Sequence, residues 1–364
     1  MWWRWRKKLL LCAGLLLWVL LHRDGHHAKS FLYRLLVNRF DDVVEGLTVP
    51  RERARAFTDF RPLLDHPDKC AGPDVFLLLF VKSPPRNADR RRAIRSTWGN
   101  ERFFSEALGV TVKVVFALGA PDCDADVVQR RLLAEDRRYG DLIQRDFSDS
   151  FLNLTLKLIM QFQWARRRCP RARFLMLADD DVFVHAPNLV AYLREAQGRG
   201  GAADLWVGHV IRAAPPIRRE DSKYYVPPEL YRWDTYPDYT AGMGYLVSGD
   251  VAEKIYRASV TLDASFYVDD VFMGICAKAA GVSPRGHPYF SGGSKAIDHP
   301  CVYNRMITSH GHVGDLRRLW EAATDVRVRE AASGLLDRFY CAAVRIFLFC
   351  GYPAHSYPCT AAFF

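Results

Sequence analysis

No Cys-x-x-Cys pair occurs in this chain, although it has nine cysteines. That absence removes the zinc ribbon and the thioredoxin-type redox site, which both need thiols at that spacing. There is no Gly-x-x-x-x-Gly-Lys-Ser/Thr cradle, and "GMGYLV", from Gly242, lacks the third glycine of a dinucleotide fingerprint. The usual nucleotide loops are therefore excluded. No internal repeat or low-complexity tract interrupts the 364 residues. Long apolar runs are also scarce. The longest, Leu9 to Leu21, has 13 residues, short of the about 20 that a simple membrane span needs.

The flanks of that run change its meaning. Trp2, Trp3 and Trp5 can sit at a membrane interface and lengthen it, and no small-x-small cleavage site follows in His22 to His26. Arg4, Arg6, Lys7 and Lys8 precede it, so the positive-inside rule keeps the N-terminus cytosolic. The expectation is a type II membrane protein with the rest of the chain in the lumen. It comprises a cytosolic tail (1–8), a signal-anchor (9–21), a stem (22–70), a main domain (71–321) and a Cys-containing extension (322–364). Setting Cys12 aside leaves eight lumenal cysteines, an even count that permits disulfides without choosing their pairing. Asn153-Leu154-Thr155 is a glycosylation sequon that only a lumenal chain can use.

Charge is lopsided: 51 Lys and Arg against 41 Asp and Glu, a formal +10. Such a balance suits a nucleic acid, a nucleotide or a lipid head group, but on charge alone a solvated basic surface is the preferred reading. The anchor argues against nucleic acid. From residue 74 the texture becomes regular. "DVFLLLFVK", "VKVVFALGA" and "DLIQRDF" read as strands, with helical stretches such as "DVVQRRLLAEDRRYGD" between them. Strands alternating with helices predict an α/β fold with a mostly parallel central sheet.

Within "FLMLADDDVFVH" three carboxylates, Asp179, Asp180 and Asp181, interrupt an apolar run. Adjacent carboxylates repel one another and are costly to bury unpaired, so the strand end must meet cations. In α/β sheets ligands bind beyond the carboxyl ends of strands. A hard divalent ion held by oxygen ligands, and through it a diphosphate, is the chemistry that this placement favours. A lumenal, membrane-anchored protein with metal-bound diphosphate and no phosphate loop points to a sugar-nucleotide transferase.

Five blocks in order, "RRRAIRSTWGNE", "DFSDSFLNLTLK", "FLMLADDDVFVH", "YPDYTAGMGYLVSGDVA" and "YVDDVFMG", resemble glycosyltransferase family 31, the β-1,3-galactosyl- and β-1,3-N-acetylglucosaminyltransferases. The resemblance spans about residues 72 to 320 and implies a GT-A fold with Mn2+ or Mg2+ as cofactor. Flanking stretches, among them "LLLFVKSPPRNADRR" and "IDHPCVYNRMITSHGH", narrow it to UDP-GlcNAc as donor and a glycolipid acceptor, lactosylceramide. A β-1,3-galactosyltransferase, a transferase acting on glycoproteins, and a non-catalytic lectin-like homologue are the alternatives. Homo-oligomerisation is compatible with the sequence.

The resemblance also implies roles. Asp181 is the expected metal ligand, with His310 completing the site, and Asp179 and Asp180 contact the metal shell or the ribose. Asp270 aligns with the general base. Asp269 stands where the family usually has glutamate, and either neighbour can cap the helix that follows, Asp269 being preferred. Arg91, Arg95 and Trp98 are expected on the nucleotide side, together with Lys157 and an Asp149 that orients it. Tyr239, Gly242 and Gly244 are expected at the acceptor, or in a tight structural turn.

Overall fold

The computed structural model describes residues 40–325 and 335–344, apart from positions 73, 199, 201, 202 and 294. The apolar run Leu9 to Leu21 lies outside them, and no helix among the described residues is long and apolar enough to cross a membrane.

Ten strands are present among these residues: β1 Pro62–Leu64, β2 Leu77–Lys82, β3 Val112–Ala120, β4 Leu142–Ser148, β5 Phe174–Asp179, β6 Val182–Val184, β7 Trp206–Ile211, β8 Tyr239–Ser248, β9 Arg285–Gly286 and β10 Thr308–His310. Eight of them form one sheet in the order β1-β4-β3-β2-β5-β8-β7-β9. The centre, β4-β3-β2-β5, is parallel, whereas β8 runs antiparallel to both β5 and β7. β6 and β10 form a separate antiparallel ribbon.

Helices cover both faces, which is why β2 is apolar along almost its whole length. Leu78 and Phe80 point to one core with Trp164 of the helix Leu154–Arg168, while Leu77, Leu79 and Val81 point to the other with Ile94, Trp98 and Phe104. The alternation is the period of two that a strand imposes.

Ordered elements occur within the stretch 22–70 expected as stem. Helices Phe40–Leu47 and Arg51–Ala56 and the edge strand β1 all lie within it. Val43 and Leu47 are buried in the core that contains the helix Asp269–Ala279, and Asp263 N donates to Leu47 O at 2.8 Å. Their spacing of four residues puts both on one face of a short helix, with Phe40 and Val44 packed beside them. Disulfides join Cys70 to Cys169 and Cys301 to Cys341, the second tying the helix Leu335–Val344 of the extension to the domain. Cys123 and Cys276 are free thiols, and Cys350 and Cys359 lie outside the described residues.

Candidate active site at the carboxyl ends of the strands

Strand register builds this site. Lys82 ends β2 and stands opposite Asp179, the last residue of β5. Its ammonium lies 3.1 Å from Asp179, donates to Asp269 Oδ2 at 2.7 Å, and reaches Gly242 O at 3.3 Å. Burial would drive this lysine neutral, but Asp179 and Asp269 outweigh it and raise its pKa well above the ordinary value. One cation thus ties the two acidic motifs together. No role was read for Lys82 in the sequence, although a lysine closing a buried strand is a signal that could have found it.

Asp180 and Asp181 form the turn after β5. The Asp180 carboxylate is saturated: Ser83 Oγ and Asn87 Nδ2 donate to one oxygen at 2.7 and 2.9 Å, and Arg90 donates to the other at 2.8 Å. It braces the loop after β2. Asp181 is freer. Pairing of Val182 with His310 across the β6-β10 ribbon sets the imidazole beside it, with Nε2 3.6 Å from Asp181 Oδ1. His312 is spent elsewhere, against Ser309 Oγ at 2.7 Å and Asp315 at 3.1 Å.

Among the described residues no cluster of three or more metal-ligating side chains occurs. Two ligands from the protein are nonetheless what a magnesium-like ion takes when substrate phosphates and water complete its shell. The carboxylate and imidazole donors of Asp181 and His310 fit manganese equally well.

Asp269 and Asp270 open the helix Asp269–Ala279, where their charge suits the positive end of its dipole. The expectation that Asp269 caps this helix is corrected: Val268 holds the cap position without a side-chain bond, and Asp269 is committed to Lys82. Asp270 packs on β8. A Cβ at Gly242 would stand 3.1 Å from that of Asp270, and one at Gly274 only 2.8 Å from that of Tyr239. These two glycines bring the helix onto the strand. Burial, and then the Asp269 charge, push the Asp270 pKa up to about 7 against the pull of Lys82.

The cavity between these groups measures about 560 Å³. Its further wall carries Lys157, which holds Asp149 at 2.7 Å, and its rim carries Lys223 and Tyr224. Burial lowers the Lys157 pKa, with Asp149 only partly compensating. Asp149 also accepts from Gly119 N at 2.6 Å, so the lysine is oriented from a fixed base.

Several expected residues do not reach the wall. Arg91 is fully buried behind the loop after β2, bonded to Glu135, Ser83 Oγ, Pro84 O and Pro85 O. Arg95 forks onto Asp141, also holds Glu135, and stacks on Phe116 and Tyr139, while Trp98 lies in the core. These three, expected on the nucleotide side, stand in a layer behind the cavity wall. Tyr239 is buried in β8, and Gly244 packs against Thr308 and Val182. Asn153 is half-buried, with Nδ2 donating to Ser148 O at 2.9 Å, and the hydroxyl of Thr155 is buried on Phe266 O at 2.6 Å.

A mixed α/β domain with carboxylates and lysines converging at strand ends defines the class, and comparison places the chain within it. The profile described as Galactosyltransferase matches residues 89–288, and the chain belongs to that family. It is 56% identical over 348 residues to "Lactosylceramide 1,3-N-acetyl-beta-D-glucosaminyltransferase A" of Danio rerio, covering 94% of this chain and 92% of that one. It is 50% identical to "Lactosylceramide 1,3-N-acetyl-beta-D-glucosaminyltransferase" of Homo sapiens, covering 93% and 90%. The likeness runs nearly end to end.

Proposed function

We propose that this chain is an inverting β-1,3-N-acetylglucosaminyltransferase of GT-A type. It moves N-acetylglucosamine from UDP-GlcNAc to the terminal galactose of lactosylceramide or a related glycolipid, on the lumenal side of the Golgi membrane. The observation that carries this reading is the near full-length identity to relatives so named, joined to an acidic cavity with one carboxylate poised near neutrality.

Asp181 and His310 would hold a divalent cation. When bound, that ion supplies charge to stabilise the leaving diphosphate. Lys157 adds positive charge on the same wall, while Asp180 keeps the loop after β2 in place. Asp270 takes the proton from the acceptor hydroxyl as that oxygen attacks the anomeric carbon. No second carboxylic acid is required, because the leaving group departs as diphosphate. Gly242 lets the base stand against β8, and Lys82 holds the neighbouring Asp269.

A galactose donor is the second reading, favoured by the description of the matching family. UDP release from UDP-GlcNAc and from UDP-galactose, with lactose-terminated acceptors and with or without manganese, separates the two. Release from UDP-GlcNAc alone, dependent on both metal and acceptor, is the expected result. Release from UDP-galactose alone would transfer the case to the second reading.

A further inference from the structure

A second cavity, about 680 Å³, lies at the opposite end of the helix Leu154–Arg168 from the acidic one. Its wall is strongly basic. Arg51 and Arg55 come from the helix Arg51–Ala56, Arg145 from β4, and Arg257 from the helix Gly249–Ser259. Arg166, Arg167 and Arg168 close the long helix. Against seven guanidinium groups the wall sets only Asp59 and Asp65, an excess of five positive charges (7 − 2).

Two of the carboxylates within reach, Asp65 and Glu253, are already shared, and the exposed Asp59 pairs with none of the wall arginines. Asp65 accepts from Trp164 Nε1 at 2.7 Å and from Arg168 at 3.0 Å, and lies 3.8 Å from Arg145. Glu253, beside the wall, serves both Arg166 and Arg257 at 2.7 Å. Among the described residues, Arg51, Arg55 and Arg167 hold no carboxylate. The negative end of the helix dipole accounts for arginines in its last turn. It does not account for those converging from three other elements. Arg145 is the most enclosed of the paired ones, its side chain 11% exposed. Its burial, with the charges of Arg167 and Arg168, lowers its pKa in spite of Asp65.

A guanidinium does not shed its proton in a protein, so the uncompensated charge of this wall suits an external anion. Planar forks meeting from several directions match the oxygens of a phosphoryl group. We infer that this cavity binds a phosphoryl group, carried either on a phospholipid head group or on a soluble phosphate. The site is separate from the acidic cavity, and the inference does not depend on which sugar is transferred.

The test uses the full-length chain in maltoside micelles with EDTA, which suppresses metal-dependent binding at the acidic cavity. Pyrophosphate and micelle-borne phosphatidate are titrated separately by calorimetry into the parent and into the Arg55→Gln/Arg167→Gln double variant. Both side chains are exposed, so the fold should survive, and unchanged transferase turnover verifies it. At least one ligand should bind the parent and lose roughly 10-fold or more in the double variant, the scale of losing charge-assisted bonds. Arginine-dependent binding of phosphatidate alone identifies the lipid source, and of pyrophosphate alone the soluble one. Equal binding to parent and variant, or no binding of either ligand to the parent, would overturn the inference. The single variants Arg55→Gln and Arg167→Gln repeat the test should the double variant lose turnover.

Discussion

The two ends of the helix Leu154–Arg168 treat charge in opposite ways. At the acidic end the framework charges are paired, Lys82 with Asp179 and Asp269, Arg90 with Asp180 and Lys157 with Asp149, while Asp181 and Asp270 are left without a lysine or arginine partner among the described residues. At the arginine end, guanidinium groups outnumber carboxylates and several hold none among the described residues. A closed network of opposite charges fixes geometry to a fraction of an ångström, which suits bond making. A one-signed wall fixes little by itself and suits holding something that arrives with the missing charge.

The strongest way to break this contrast is through Asp270. Asp270→Asn should keep donor binding while transfer falls by a factor on the order of 10² to 10⁴, the usual worth of a positioned base. The Arg55→Gln/Arg167→Gln variant should transfer at the parental rate. Equal losses in the two would erase the distinction.

Lys82 tests the network itself. Lys82→Met strands two carboxylates around a buried site and should cost about 3–5 kcal/mol in urea unfolding, the scale of breaking a buried pair. Removing exposed arginines at the other end should change stability by no more than about 0.5 kcal/mol. A mild Lys82→Met would mean that Asp179 and Asp269 find solvent or each other's proton instead.

Truncation sharpens the comparison further. A chain beginning at residue 60 loses Val43, Leu47, Arg51 and Arg55, opening the arginine cavity while sparing the acidic one. It should melt earlier than a chain beginning at residue 40. The net loss should be about 1–3 kcal/mol, since lost burial is partly offset by recovered chain entropy. Identical melting would return residues 40–59 to the status of a stem.

The smallest effect concerns pH. The acid limb of kcat/KM should fall near pH 7, where Asp270 protonates. An unfolded aspartate ionises near about 4, so between about 4 and about 7 the folded state binds more protons than the unfolded one. Stability contributed by this group is therefore present below that window and lost as pH rises through it. Asp270→Asn should flatten both curves. A limb left near pH 4 would place the base elsewhere.

Much of this was legible because strands announce themselves as apolar runs and the acidic triplet interrupts one. The parallel centre and the strand-end placement of the acids rest on local patterns of that kind, whereas Asp181 and His310 were joined only through the family resemblance. Lys82 escaped notice because its meaning lies in register, which a single strand does not display. Arg91 and Arg95 misled for a related reason. Arginine on a basic helix reads as surface or ligand, yet their forks are used up on Glu135 and Asp141, residues about 45 positions away. The helix Phe40–Leu47 was hidden by its shortness within a polar, Arg-rich stretch, although Val43 and Leu47, with the partly buried Phe40 and Val44, seat it on the core.

On the proposed mechanism the acidic cavity would hold the donor through a divalent cation bound to Asp181. UDP binding in manganese, measured by calorimetry on the parent and on Asp181→Asn, tests it most directly. The substitution is nearly isosteric and the site is half-exposed, so folding should be retained. The expected result is loss of manganese-dependent UDP affinity in Asp181→Asn, with the parental binding abolished by EDTA. UDP binding as tight in the variant as in the parent, with manganese present, would contradict it.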